Sequence, residues 1–229
     1  MKLENLYDTL SFVPKQNENF EIIGDFSCEI EQNTLYKAYS ALNEYLHTSI
    51  VEDFMKEHAI KVEKNIPAFA GLGGGSSDAA TYLKMCNEVL ALGLSLEELA
   101  KIGLKVGADV PFFVYGYDSA NVSGVGEVVE RFDEELLQIE TYTPKLEIST
   151  PKVYKSYREN FFAPISEQKA KELAKMPSTQ ILNTMMPKEA NDLFAPALKE
   201  YEELEKFYKK GYHFSGSGSS FFRVKESEK

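Results

Sequence analysis

Pro67-Ala68-Phe69-Ala70-Gly71-Leu72-Gly73-Gly74-Gly75-Ser76-Ser77-Asp78-Ala79-Ala80 is the stretch on which the fold reading turns. Ahead of it, Ile60-Lys61-Val62-Glu63 alternates apolar and polar residues, the period of a short strand. Behind it, Ala79, Leu83, Cys86 and Leu90 fall on one stripe, which predicts a helix from Asp78 to about Leu92. A strand, a glycine-rich turn and a helix opening with Ser76-Ser77-Asp78 make a physical anion site. Glycines let backbone N–H groups approach an anion and tolerate positive φ. The helix N-terminus adds unsatisfied donors and about half a positive charge. The Ser76 and Ser77 hydroxyls can donate to phosphate oxygens or ligate Mg2+.

The competing reading of this stretch is a flexible linker or a tight turn with a Ser cap. Two standard phosphate motifs do not match. A Walker A loop ends in Gly-Lys-Ser/Thr, whereas Gly75 precedes Ser76 here. A dinucleotide fingerprint needs G-x-G-x-x-G, and Ser76 stands where its third glycine belongs.

Outward from the loop, Leu10 and Phe12, then Phe20 and Ile22, alternate with polar neighbours as strands do. Leu35, Ala38, Leu42 and Leu46 predict one helix from Thr34 to Glu57. Ser95-Leu96-Glu97-Glu98 has the form of a capping box, and Gly107 is placed to end the following helix in a left-handed cap. Asp109 precedes Val110-Pro111-Phe112-Phe113 and lies at a junction between elements. Strand-like runs follow at Ala120–Val122, Val125–Phe132 and Leu146–Ser149, then helices near Glu167–Lys175 and Glu189–Lys210. Ser215-Gly216-Ser217-Gly218-Ser219-Ser220 precedes a last strand at Phe221–Val224. Its glycines suit close backbone approach to a ligand or to the first glycine loop, or a plain hairpin turn. Without a clean βαβ rhythm, the fold class is α+β rather than a doubly wound sheet.

The chain has 229 residues, enough to bury a core without staples, with 43% hydrophobic and 27% charged residues. Acidic residues outnumber basic ones 36 to 25, for a net charge of −11. That field repels nucleic acid and anionic membrane but leaves room for a small anion held by backbone N–H groups. No apolar run reaches membrane-spanning length and the N-terminus does not resemble a signal peptide, which predicts a soluble, cytoplasmic protein. Cys28 and Cys86 form no C-x-x-C pair and read as buried small side chains. His47, His58 and His213 lack metal-ligand spacing. Glu202 with Lys206 and Glu205 with Lys209 read as pairs on a solvated helix face, and Asp133-Glu134-Glu135 as an exposed hairpin loop.

Pro67 to Ala80 resembles the second signature motif of the GHMP kinases, a family that includes galactokinase, homoserine kinase and mevalonate kinase. The triple glycine is most similar to the branch that phosphorylates 4-diphosphocytidyl-2-C-methylerythritol. Leu104 to Phe113 resembles that branch's catalytic-aspartate segment, Ser123-Gly124-Val125-Gly126-Glu127 its following hairpin, and Ser215 to Ser219 the third motif. The resemblance runs from about Leu3 to Val224.

What the resemblance implies is a two-lobed GHMP-kinase fold. Residues 1–135 would form an ATP-binding lobe like the second domain of ribosomal protein S5, and 136–229 a ferredoxin-like lobe. It implies ATP-dependent phosphorylation of the 2-hydroxyl in the non-mevalonate isoprenoid pathway, with Mg2+ and a cytidine-linked small-molecule substrate. Asp109 would take the hydroxyl proton. Pro67, Ala68, Phe69, Ala70, Gly71, Leu72, Gly73, Gly74, Gly75, Ser76 and Ser77 would surround the ATP phosphates, and Asn33 would lie near the adenine. Tyr154 would stack on cytosine, with Thr150, Ser217 and Gly218 around the substrate. The Mg2+ ligands and the oligomeric state are not implied.

From its own neighbours, Asp109 reads equally as a partly desolvated carboxylate poised to accept a proton or as a cap on the next helix turn. Tyr154 from its own neighbours reads as a core-edge aromatic, and its place on cytosine rests on the resemblance. Family members begin with a strand carrying Lys-x-Asn and then a Gly-Tyr-His turn, and Lys2 and Asn5 lack that spacing. The sequence thus reads as a kinase whose N-terminus starts one strand and one hairpin late. The competing expectations are a catalytically impaired nucleotide-binding protein and another GHMP kinase acting on a small alcohol such as homoserine.

Overall fold

Leu10 and Phe12 turn the same way from strand β1 (Thr9–Pro14), and their antiparallel partners across the sheet are Val62 and Ile60 of β3 (His58–Glu63). The period-2 pattern of both segments sets this register, because a one-residue slip would carry every apolar side chain to the other face. Strand β2 (Ile22–Ile23) joins β3 in parallel, giving the order β1-β3-β2. The computed structural model describes residues 1–26 and 28–225. The chain divides into two units, one of residues 1–68 with 73–133 and one of residues 69–72 with 134–229.

In the first unit, α1 (Thr34–Leu46), α3 (Gly74–Val89) and α4 (Leu96–Val106) bury their apolar stripes in one core. Leu35, Ala38 and Leu42 meet Ala79, Leu83 and Cys86 there, together with Leu99 and Ile102. The expected single helix from Thr34 to Glu57 is two. Helix α1 ends at His47, which adopts the left-handed conformation with φ 52°, and α2 runs Ile50–Glu57. The stripe changes phase at that point: after Leu46 the next buried position is Val51, five residues on, and a straight helix would turn it to solvent.

The capping box at Ser95 forms as the sequence predicts: Ser95 accepts from the Glu98 N–H and Glu98 accepts from the Ser95 N–H. Gly107 does not make the expected left-handed cap. Its backbone is extended, because the chain passes within three residues into α5 (Val110–Tyr115). A β-hairpin, β4 (Ala120–Ser123) with β5 (Val128–Arg131), completes this unit.

The second unit has a sheet of order β6-β8-β7, all antiparallel, from β6 (Ile139–Tyr142), β7 (His213–Phe214) and β8 (Phe221–Val224). Ile148, Val153, Phe194, Ala197, Leu204 and Phe221 form its core. The strand expected at Leu146–Ser149 is an irregular segment that buries Ile148 and leads into α6 (Thr150–Ser156), while the sheet strand lies earlier, at β6. Helices α7 (Glu167–Leu173) and α8 (Ser178–Thr184) follow.

The expected helix Glu189–Lys210 is three pieces: α9 (Pro187–Ala190), α10 (Phe194–Glu200) and a 3-10 helix at Glu202–Phe207. Asn191 breaks the first junction, its side chain accepting from the Leu193 N–H. Tyr201, at φ −137° and ψ 75°, breaks the second. In the 3-10 segment residues four apart no longer face each other, and Lys209 lies 4.0 Å over the Tyr142 ring instead. Glu134 is no idle loop residue, since it accepts from both the N–H and the hydroxyl of Ser178 at the start of α8. Cys86 is buried as expected, whereas Cys28 is exposed. Among the described residues no helix is long and apolar enough to cross a membrane.

Candidate phosphate loop and phosphotransfer site

The loop leaves β3 through Lys64-Asn65-Ile66, and Asp8 holds that exit. One Asp8 carboxylate oxygen accepts from the N–H groups of Asn65 (2.6 Å) and Ile66 (2.8 Å), and Asn65 Nδ2 donates to the Tyr7 carbonyl. The Lys64 ammonium donates to the other Asp8 oxygen and, at 2.9 Å, to Asp78 on α3. Both carboxylates are almost wholly buried, at 1% and 4% side-chain exposure, and Lys64 is 18% exposed. Burial pushes the Asp78 carboxyl up to about 6, against the opposing pull of Lys64. Burial also acts on Asp8, but the Ile66 N–H, Lys64 and the Asn65 N–H outweigh it and hold that carboxyl below its ordinary value.

The helix begins at Gly74, two residues ahead of the serines expected to open it, with Gly73 at the cap position and φ 71°. The Ser77 N–H donates to the Gly73 carbonyl, and the Ser77 hydroxyl to the Gly74 carbonyl within the first turn. Helical geometry leaves the N–H groups of Gly74, Gly75 and Ser76 without intrahelical acceptors, pointing out of the helix start.

The glycines answer packing as well as ligand access. A Cβ on Gly73 would come 2.8 Å from the Phe113 ring, one on Gly74 2.9 Å from Ile66, and one on Gly75 3.1 Å from the Thr34 hydroxyl. Thr34 donates to the Gly75 carbonyl at 2.7 Å. Asn33, just before it, is buried and accepts from the Leu35 N–H, capping α1 beside that contact.

Residues 69–72 group with the second unit, where they meet the Ser215–Ser220 turn. The Ser219 and Ser220 N–H groups donate to the carbonyls of Phe69 and Ala70, and the Ser215 hydroxyl to the Gly71 carbonyl. Gly71 has φ 69°, and a Cβ there would come 2.8 Å from the Gly218 nitrogen. The second glycine stretch is therefore a connection from β7 to β8 and also a close partner of residues 69–72 of the first glycine loop. In the same unit Thr150 Oγ1 and Ser217 Oγ lie 2.6 Å apart. Tyr154 stands one turn further along α6 and is 44% exposed.

Asp109 occupies the cap position of α5 but makes no side-chain capping bond. It is solvent-accessible as a residue, yet the protein packed around its carboxyl desolvates it and raises its pKa. Its segment is fixed from two sides. Gly126, at φ 108°, presses against the Ala108 carbonyl, and Lys84 of α3 donates to the Phe113 carbonyl at 3.2 Å. Burial lowers the Lys84 pKa. Asp8, Thr34, Lys64 and Lys84 escaped the sequence reading because each works through a partner distant in the chain.

Residues 33–117 match the family model for the GHMP kinases N terminal domain. The chain is 66% identical over 232 residues to the 4-diphosphocytidyl-2-C-methyl-D-erythritol kinase of Sulfurimonas denitrificans, covering 100% of this chain and 87% of the relative. It is 44% identical to the kinase of the same name from Sulfurovum sp., covering 99% and 88%. A crystal structure of 4-(cytidine 5'-diphospho)-2C-methyl-D-erythritol kinase superposes with a TM-score of 0.67 at 30% identity, covering 96% of this chain and 77% of that one. Homoserine kinase from Cytophaga hutchinsonii, at 17% identity and a TM-score of 0.61, shares the fold. With an α+β fold, a GHMP motif region and two-thirds identity across its full length, this chain belongs to the 4-diphosphocytidyl-2-C-methyl-D-erythritol kinase family of the GHMP kinases.

Proposed function

We propose that the chain transfers the γ-phosphoryl group of ATP to the 2-hydroxyl of 4-diphosphocytidyl-2-C-methyl-D-erythritol, with Asp109 accepting the hydroxyl proton. The observation that carries the reading is at Asp109. A carboxylate at a helix cap position that does not cap, with raised proton affinity and access to solvent, is poised for proton transfer rather than for stability. Identity of 66% and 44% to 4-diphosphocytidyl-2-C-methyl-D-erythritol kinases supports that substrate.

In this reading residues 1–135 are the ATP-binding lobe and 136–229 the second lobe. Pro67 to Ser77 surround the triphosphate, with the N–H groups of Gly74, Gly75 and Ser76 donating to its oxygens. Asn33 is assigned to the adenine, by resemblance. Tyr154 is assigned to the cytosine ring, which its exposed face suits. Thr150, Ser217 and Gly218 are assigned to the remainder of that substrate.

As the hydroxyl oxygen bonds to the γ-phosphorus, its proton passes to the Asp109 carboxylate. The bond from phosphorus to the bridging oxygen breaks, and ADP leaves. Mg2+, when bound, offsets charge on the triphosphate. Among the described residues no group of three or more His, Cys, Asp or Glu assembles, and the hydroxyl of Ser77 is engaged by Gly74. The Ser76 hydroxyl at the start of α3 is one oxygen donor that could join the phosphate oxygens around such an ion.

The test is a phosphotransfer assay with ATP, offering 4-diphosphocytidyl-2-C-methyl-D-erythritol and homoserine side by side. Phosphorylation of the first at its 2-hydroxyl is the expected result. Turnover of homoserine alone, or ATP binding without transfer to either alcohol, would overturn the reading.

A further inference from the structure

Lys64 sits where three backbone segments meet. Asp8 lies one residue ahead of β1, Lys64 one residue past β3, and Asp78 in the second turn of α3. Neither Asp8 nor Asp78 can turn to water, because both carboxylates are almost fully enclosed. The Asp8 carboxylate is also the acceptor for the loop's own backbone at Asn65 and Ile66. One lysine thus ties the strand end that starts the glycine loop to the helix that ends it.

We propose that Lys64, bridging Asp8 and Asp78, is a positioning group for phosphoryl transfer that fixes the N-terminal N–H groups of α3 against the exit of β3. The proposal rests on the reading of that loop as the ATP phosphate site. The ammonium touches no substrate in this role. It sets the distance and angle between the two stems of the loop, so that the N–H groups of Gly74 to Ser76 stay aimed at one point. Charge-assisted bonds to buried carboxylates are short and directional, which suits a brace. The packing of Ile66 against Gly74 keeps the two stems in direct contact and makes the brace compact.

Replacing Lys64 alone would strand two buried carboxylates and endanger folding. The informative variant is Lys64→Met combined with Asp78→Asn, which removes the cross-link while Asp8 keeps its two backbone N–H partners. Hydrogen exchange of the full chain is followed by peptide, and steady-state kinetics give KM for ATP and for the alcohol separately. Faster exchange confined to residues 64–78 is expected, with KM for ATP raised about tenfold and KM for the alcohol within about twofold.

Unchanged exchange in 64–78 overturns the proposal, as does an equal rise in both KM values. Loss of protection throughout α1 and α4 would assign the bridge to overall stability and overturn it too. Should the parent protein bind no ATP, the assignment of the phosphate site falls, while the exchange of 64–78 still decides whether Lys64 braces the loop.

Discussion

Gly126 lies so close to Ala108 that a Cβ on it would overlap the Ala108 carbonyl oxygen and come within 2.7 Å of the carbonyl carbon. The hairpin turn between β4 and β5 is thereby pressed against the residue before Asp109. At φ 108° the position is also one that side-chain-bearing residues rarely adopt. The substitution Gly126→Ala must either move the hairpin or move Ala108 and with it Asp109. A strain of about 1–3 kcal/mol follows, seen as a lowered melting temperature. Kinetically, kcat should fall by more than KM for ATP rises, because the turn presses on Ala108, next to the proposed proton acceptor. A rise in KM for ATP with unchanged kcat would contradict that.

The 2.6 Å contact between Thr150 and Ser217 predicts a non-additive pair. Ser217 is buried, at 6% exposure, so Thr150→Val leaves a hydroxyl without its partner and costs about 1–3 kcal/mol. Adding Ser217→Ala removes the stranded group and recovers most of that loss. Denaturant unfolding of the two single variants and the double variant measures the coupling. Simple addition of the two losses would show the contact to be energetically idle.

Asp78 gives the protein a pH-dependent term of definite sign. Burial raises its carboxyl from 3.8 to about 6, with Lys64 and Asp8 the charged groups facing it. A carboxyl that binds its proton more tightly when folded contributes less to stability as pH rises from about 4 to about 6. Asp78→Asn abolishes that dependence. The melting temperature of the variant relative to the parent should therefore rise between about pH 4 and pH 7. A constant offset across the range, in melts of both proteins, would show that Asp78 titrates alike folded and unfolded.

Elements whose signals are local were legible in the sequence. The alternation of β1 and β3, the capping box at Ser95 and the junction at Asp109 each depend on a few neighbouring residues, and each forms where it was read. The helix break at His47 is hidden in the sequence because the apolar stripe runs unbroken through Leu46 and changes phase only at Val51. The stretch 189–210, expected as one helix, is interrupted by the Asn191 side-chain cap and the non-helical backbone at Tyr201. Strand β6 owes its place to pairing with the distant β8, Ile139 opposite Val224 and Tyr142 opposite Phe221, and little in its own sequence announces it.

Within the site, the glycine loop announced itself by composition. Its supports did not, because Asp8 and Lys64 are 56 positions apart and Lys84 and Phe113 are 29 apart. A lysine at a strand end or on a helix carries no sign of the buried partner it will meet. The glycines read as ligand access or as a tight turn, and the crowding of Phe113, Ile66 and Thr34 against them emerges only in three dimensions.

The most direct measurement is the rate of ATP-dependent phosphorylation by Asp109→Asn, made alongside ATP binding by the same protein. Removing a general base typically costs about 10²–10⁴-fold in rate. On that assignment we expect a fall of that size in kcat with ATP affinity kept within about threefold. Turnover close to that of the parent would contradict the assignment of Asp109 as the proton acceptor.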